Sequence, residues 1–201
     1  MSLKVGLTGG LATGKTFVAR ALESLGCRLL QADEIGRQVM SPGGEAFRDI
    51  VAEFGPDILH VDGSIDRKKL ASRVFGQPEQ LAALNRLVHP WVIRRENEWM
   101  ERVSAEDPAA ILVVEAAVMV EAGSHTRFDK LIVVVCREEQ QVERAVLRGD
   151  LNREEALARI RRQFPLAEKQ KLADYVIDTS GSREETLEQV RKVFDSLRRI
   201  Q

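Results

Sequence analysis

Residues 4–16 read KVGLTGGLATGKT: a short apolar run, then Gly9, Gly10 and Gly14, with a lysine at 15 and a threonine at 16. No other feature limits the fold of this chain more. Gly9, Gly10, Leu11, Ala12, Thr13, Gly14, Lys15 and Thr16 match G-x-x-x-x-G-K-[ST] in full, with a strand pattern before and a helix pattern after. The glycines allow successive backbone N–H groups to turn inward with no side chain in the way. The helix that follows adds the partial positive charge of its N-terminus. The stretch therefore reads as a loop that cradles phosphate oxygens, with Lys15 reaching the β- and γ-phosphates and the Thr16 hydroxyl available to Mg²⁺.

Such a loop needs a parallel sheet to carry it, and the chain supplies one. Apolar runs at 3–7, 27–30, 110–114, 131–136 and 175–177 read as strands. They are continuous rather than alternating, as in a sheet covered on both faces, and helical patterns separate them. The helix after the loop carries Val18, Ala21, Leu22 and Leu25 on one face, and the last carries Leu187, Val190, Phe194 and Leu197. Two segments fall outside this α/β core. Residues 32–107 show helical patterns at 45–54, 67–75 and 79–88, with breaks expected at Pro42-Gly43-Gly44, Gly55-Pro56 and Pro90. Residues 138–163 are arginine-rich, and Asn152 with Glu155 resembles a capping box that starts a helix near Arg153. The expected organisation is a nucleotide-binding core (1–31, 108–137 and 164–201), a helical acceptor-binding region (32–107) and a lid (138–163).

Composition excludes several classes. With 44% hydrophobic and 30% charged residues the chain is that of a globular protein, and a formal net charge of −1 gives no electrostatic case for nucleic acid or a membrane surface. The N-terminal residues lack the signal-peptide pattern and no apolar run is long enough to span a bilayer, so a cytoplasmic location is expected. Cys27 and Cys136 read as buried, reduced thiols. His60, His89 and His125 show no metal-ligand spacing.

Several residues outside the loop bear on the reaction. Glu115 ends the third apolar strand, where an acidic side chain helps hold Mg²⁺ in loops of this kind. Asp33 directly follows the second strand, and strand ends of an open parallel sheet meet the ligand crevice. Its carboxylate suits either a general base for an attacking hydroxyl or a helix N-cap, and both roles can coexist. Arg37 lies one turn on. Arg144 and Arg148, also one turn apart, stand where a lid would neutralise charge on a transferring phosphoryl group. His89-Pro90-Trp91 reads, on its residues alone, as architecture.

Taken in order, these residues resemble dephospho-coenzyme A kinase. The resemblance runs from 5–16 through Ala32-Asp33 with Arg37, Asp62-Gly63 with Arg67 and Phe75, and Val88-His89-Pro90. It resumes at Glu121, Phe128-Asp129, Gln141 with Arg144 and Arg148, Gln163, and 173–178. It implies a P-loop kinase core with a five-stranded parallel sheet flanked by helices, a helical substrate-binding insertion and a small helical lid. It implies ATP-dependent phosphorylation of the ribose 3′-hydroxyl of dephospho-coenzyme A, by a monomer. Asp33 then matches the catalytic base, and Ala12, Thr13, Gly14, Lys15, Thr16 and Phe17 match the ATP phosphate site. Asp33, Arg37, Arg67 and His89 match acceptor positions, and Arg144 and Arg148 match lid positions near ATP.

The chain departs from the family pattern at a few points. Gln31 stands where aspartate is usual and Ala12 where glycine is usual, the latter requiring a negative φ. Residues 116–119, Ala-Ala-Val-Met, replace a proline-leucine-leucine run, Gly149 follows Arg148 where aspartate is frequent, and Thr179 replaces an asparagine near the expected adenine. A kinase of nucleosides or nucleoside monophosphates would use the same loop and lid, and the matches inside 32–107 separate it from the main reading. A GTPase-type switch would need an N-K-x-D run, which the sequence lacks.

Overall fold

The structure, a computed structural model, describes residues 1–149 and 151–201. Its strands are β1 (Leu3–Gly9), β2 (Arg28–Gln31), β3 (Ile111–Glu115), β4 (Lys130–Val135) and β5 (Tyr175–Asp178). Its α-helices are α1 (Lys15–Ser24), α2 (Ala32–Val39), α3 (Phe47–Phe54), α4 (Arg67–Val74), α5 (Pro78–Glu106), α6 (Glu138–Leu147), α7 (Arg153–Arg162), α8 (Leu166–Lys171) and α9 (Arg183–Ile200). All five expected strands are present in one parallel sheet, ordered β2-β3-β1-β4-β5. The chain forms two compact units, Met1–Gln31 with Met100–Gln201, and Ala32–Trp99.

In the first unit β1 is central, and its flanking strands β3 and β4 are almost wholly buried. That explains why their sequences are unbroken apolar runs: both faces of the sheet are covered. On one face Val5, Leu7, Ile132, Val134 and Ile177 meet Val18 and Leu22 of α1 and Val190 and Leu197 of α9. Each fully buried Leu or Val here contributes roughly 1.5–3 kcal/mol by leaving water. α9 starts at a capping box in which Ser182 accepts from the Glu185 amide and Glu185 accepts from the Ser182 amide. The expected box at Asn152 and Glu155 starts α7 in the same way. The single arginine-rich segment of the sequence thus becomes two helices, α6 and α7. Both cysteines are buried and free, and burial pushes the Cys27 thiol up to about 12.

The second unit is helical. Arg95 of α5 donates to both carboxylate oxygens of Glu45 at 2.9 Å and to Gln38 at 3.0 Å. Asp66 caps α4 by accepting from the amides of Lys68 and Lys69. Here the expectation of a break at Pro90 is corrected, because α5 passes through it as one 29-residue helix. Pro90 cannot donate to the Arg86 carbonyl. Both residues are exposed, so water can satisfy that carbonyl and tertiary packing elsewhere on the helix overrides the local cost. Among the described residues no helix is long and apolar enough to cross a membrane.

Since an interior helical proline costs about 3 kcal/mol and its rigidity in the unfolded chain returns up to about 1, Pro90→Ala should raise unfolding free energy by about 2 kcal/mol. Urea denaturation checks this; an unchanged midpoint would mean that α5 has already absorbed the proline without cost.

Candidate active site

The phosphate loop leaves β1 at Gly9. A Cβ there would sit 2.8 Å from the Thr13 hydroxyl and against the Val134 carbonyl, so glycine is required for close approach. Gly14, at φ +90°, turns the chain into α1. No side chain caps that helix and no acid occupies its first turn, which leaves its leading N–H groups to an anion. Lys15 Nζ donates to the Gly10 carbonyl at 2.8 Å, and Thr13 Oγ1 to the same carbonyl at 3.1 Å.

Ala12 corrects an expectation. Its φ is +53°, the left-handed region, and it alone among the described non-glycine residues has positive φ. The sequence predicts a negative φ for a residue with a Cβ. Instead the methyl is buried against Val142, Ala145 and Ala156 of α6 and α7, and that contact offsets the backbone cost.

Thr16 Oγ1 donates to Glu115 Oε1 at 3.0 Å, so the structure brings together the two residues expected to face Mg²⁺. Gln31, the neighbour of Glu115 in the sheet register, donates its amide to Glu115 Oε2 at 2.9 Å. The glutamine departure thus supplies a donor where an ionised aspartate would set two carboxylates side by side. Thr16 and Glu115 are hard oxygen donors within 3.0 Å of each other, a pair suited to Mg²⁺.

Thr179, the other departure, is buried. Its hydroxyl donates to the Thr13 carbonyl at 2.7 Å and accepts from Arg144 Nη1 at 2.9 Å. Arg144 Nη2 reaches the Thr179 carbonyl at 2.7 Å. Arg144 and Arg148 line a cavity of about 330 Å³ beside the loop, with Ala12, Gly14, Phe17 and Thr179. The loop amide of Leu11 donates to Gln163 Oε1 at 2.8 Å. These loop tethers come from residues to which spacing gave no role; Thr179 and Gln163 were visible only as positions in the family pattern.

The helical unit holds the remaining expected residues. Asp33 is the second residue of α2, in its first turn and not at its cap, since β2 passes straight into the helix at Ala32. The cap reading is corrected accordingly; the carboxylate still lies at the positive end of the helix. Arg37 pairs with Glu34 on the same helix. Arg37 and Arg67 line one cavity of about 520 Å³ with His60, Lys68, Met40 and Leu70. His60 and Lys68 had not been singled out for binding. His89 is not among that cavity's lining; it is half-buried on α5, and burial holds its imidazole below the usual histidine range.

A doubly covered parallel sheet of this order, with a complete phosphate loop and a Thr–Glu pair at the C-terminal ends of its central strands, defines a P-loop nucleotide-binding protein. Comparison narrows the class. The profile of the dephospho-CoA kinase family matches residues 3–185. A dephospho-CoA kinase from Carboxydothermus hydrogenoformans is 43% identical over 190 residues, covering 94% of this chain and 92% of the relative. The crystal structure of TT1252 from Thermus thermophilus superposes with a TM-score of 0.83 at 33% identity, covering 97% of each chain. Dephospho-CoA kinase from Campylobacter jejuni gives a TM-score of 0.73 at 26% identity, covering 99% of this chain and 98% of that one. The chain belongs to the dephospho-CoA kinase family.

Ala12→Gly should change unfolding free energy by less than about 1 kcal/mol, because relief of the left-handed conformation is cancelled by lost methyl burial and greater unfolded-state freedom. Ala12→Val, β-branched at the same φ, should lower it by at least about 2 kcal/mol. Chemical denaturation of both variants decides; a stable valine variant would refute the strained geometry.

His89 also gives the protein a pH dependence. Its folded pKa is depressed, so as pH falls through about 6.5 the unfolded chain takes up the proton first. Stability therefore rises with pH through that window and is flat above it. Wild-type protein should lose stability between about pH 7 and pH 5 more steeply than His89→Gln. Parallel slopes in denaturation series at several pH values would remove His89 as the cause.

Proposed function

We propose that the protein transfers the γ-phosphoryl group of ATP to the ribose 3′-hydroxyl of dephospho-CoA, yielding CoA and ADP. The observation that carries this reading is the family match, which spans both the phosphate loop and the helical insertion. The triphosphate lies on the loop amides and the N-terminus of α1, with Lys15 swinging from the Gly10 carbonyl to the phosphates. The cavity lined by Arg144, Arg148, Phe17 and Thr179 takes the rest of the nucleotide. Thr16 and Glu115 would hold Mg²⁺, which supplies charge neutralisation on the phosphate oxygens.

Asp33 accepts the proton of the 3′-hydroxyl as that oxygen bonds to the γ-phosphorus and the bond to the ADP oxygen breaks. Dephospho-CoA carries a diphosphate and a long pantetheine arm of mixed polarity, with methylene and gem-dimethyl groups between its amides. The helical unit offers cations in Arg37, Arg67 and Lys68 and the imidazole of His60 as a hydrogen-bonding group, with apolar surface from Met40, Pro42, Ile65 and Leu70 in the same cavity. The segment 138–163 acts as the lid, its arginines drawing negative charge as the phosphoryl group moves.

ADP release should require dephospho-CoA, and AMP, CMP, shikimate or no acceptor should give background. Asp33→Asn should lower kcat by about 100-fold or more, while ATP affinity changes less than about threefold. Release with a different acceptor would sink the substrate assignment. An Asp33→Asn enzyme with near-normal turnover would sink the base.

A further inference from the structure

Lys169 of α8 is the largest fully buried side chain among the described residues, at 0% exposure. Its ammonium donates to Glu121 Oε1 at 2.7 Å, to the Ala117 carbonyl at 3.2 Å and to the Gly9 carbonyl at 3.4 Å. Three donors thus meet three acceptors from three segments: the first residue of the phosphate loop, the stretch just after Glu115, and Glu121. The chain that leads into α8 makes two further attachments. The Phe164 amide donates to the same Glu121 oxygen at 3.3 Å, and Gln163 accepts from the Leu11 amide at 2.8 Å. The junction between α7 and α8 therefore grips the loop at Gly9 and at Leu11.

Stability does not account for such a lysine. Taking an ammonium fully out of water is expensive, and its counterion Glu121 keeps a quarter of its side chain exposed, where solvent weakens the compensating attraction. What the pair does supply is fixed geometry. Catalysis by a phosphate loop depends on donors held in place before the reaction, and small misplacements of such groups are costly.

We propose that Lys169 is a positioning residue for phosphoryl transfer. It acts through the Gly9 carbonyl and the 117–121 segment to set the phosphate loop, with Glu121 as its counterion. Lys169 has no exposed surface and does not touch substrate. The proposal rests on the kinase reading above, and the two can fail separately.

The test compares full-length wild type with Lys169→Met/Glu121→Gln, in which both charges are removed together. The expected result is a thermal midpoint near wild type, a kcat reduced at least tenfold, and a KM for dephospho-CoA within threefold. A folded double variant with kcat within twofold of wild type overturns the proposal. A second readout needs no turnover: the ¹H–¹⁵N amide signals of Gly10, Leu11, Thr13 and Gly14 in nucleotide-free protein. These should shift in the double variant, and unmoved signals also overturn it. Should the double variant not fold, Glu121→Gln alone, which keeps the buried ammonium, should lower kcat at least threefold and shift the Gly10 and Leu11 amides; no change in either refutes the positioning role. Wild-type protein that releases no ADP with dephospho-CoA would instead defeat the substrate reading, and the amide shifts would still decide the role of Lys169.

Discussion

A loop that turns its N–H groups toward an anion must satisfy its carbonyls elsewhere, and the organisation of the sheet-bearing unit follows from that requirement. The Thr13 carbonyl accepts from Thr179 at the end of β5, the Gly10 carbonyl from Lys15 and Thr13, and the Gly9 carbonyl from Lys169 of α8. The Leu11 amide of the loop donates to Gln163. Thr13 and Lys15 belong to the loop itself, whereas Thr179, Lys169 and Gln163 come from distant parts of the chain. The loop is consequently held by its own side chains and by the tertiary fold together.

Strand order makes these attachments possible. With β1 central, its C-terminal end lies between those of β3 and β4, so Glu115 stands in register with Leu7 and reaches Thr16. β5 lies beyond β4 and delivers Thr179 to the loop from the other side. Arg144 is then fixed by both its bonds to Thr179, so a residue of α6 is tied to the loop through a single hydroxyl. Replacing asparagine with threonine at 179 keeps a polar group able to donate and accept at this junction, which is why the departure is compatible with an intact site.

What was legible in the sequence was local or periodic. The phosphate loop is a contiguous pattern, the strands are unbroken apolar runs, and the capping box at Asn152 involves residues three apart. The strand order and the tethers could not be read in the same way, because they depend on which distant segments meet. Lys169 sits in a helix reading LAEKQK, where nothing in the pattern separates a buried lysine from a solvated one. Pro90 misled because the rule against helical proline weighs the local hydrogen bond, and α5 has packing such as the Arg95–Glu45 contact to set against it. Of the two roles open to Asp33, general base and N-cap, the cap falls away because β2 enters α2 directly at Ala32, and the carboxylate lies one position inside the positive helix end.

Ala12 shows how a departure from a family pattern can create a coupling. Glycine would adopt φ +53° without strain, whereas alanine costs roughly 1–2 kcal/mol there. Its methyl returns most of that through burial, and the surface that buries it belongs to α6 and α7, the helices of the arginine-rich segment. The strained residue is therefore stable only while those helices remain packed on the loop. Any movement of α6 or α7 away from the loop uncovers the methyl and leaves the strain unopposed. Alanine here thus links the conformation of the phosphate loop to the packing of α6 and α7 more tightly than glycine would, which has no such contact to lose.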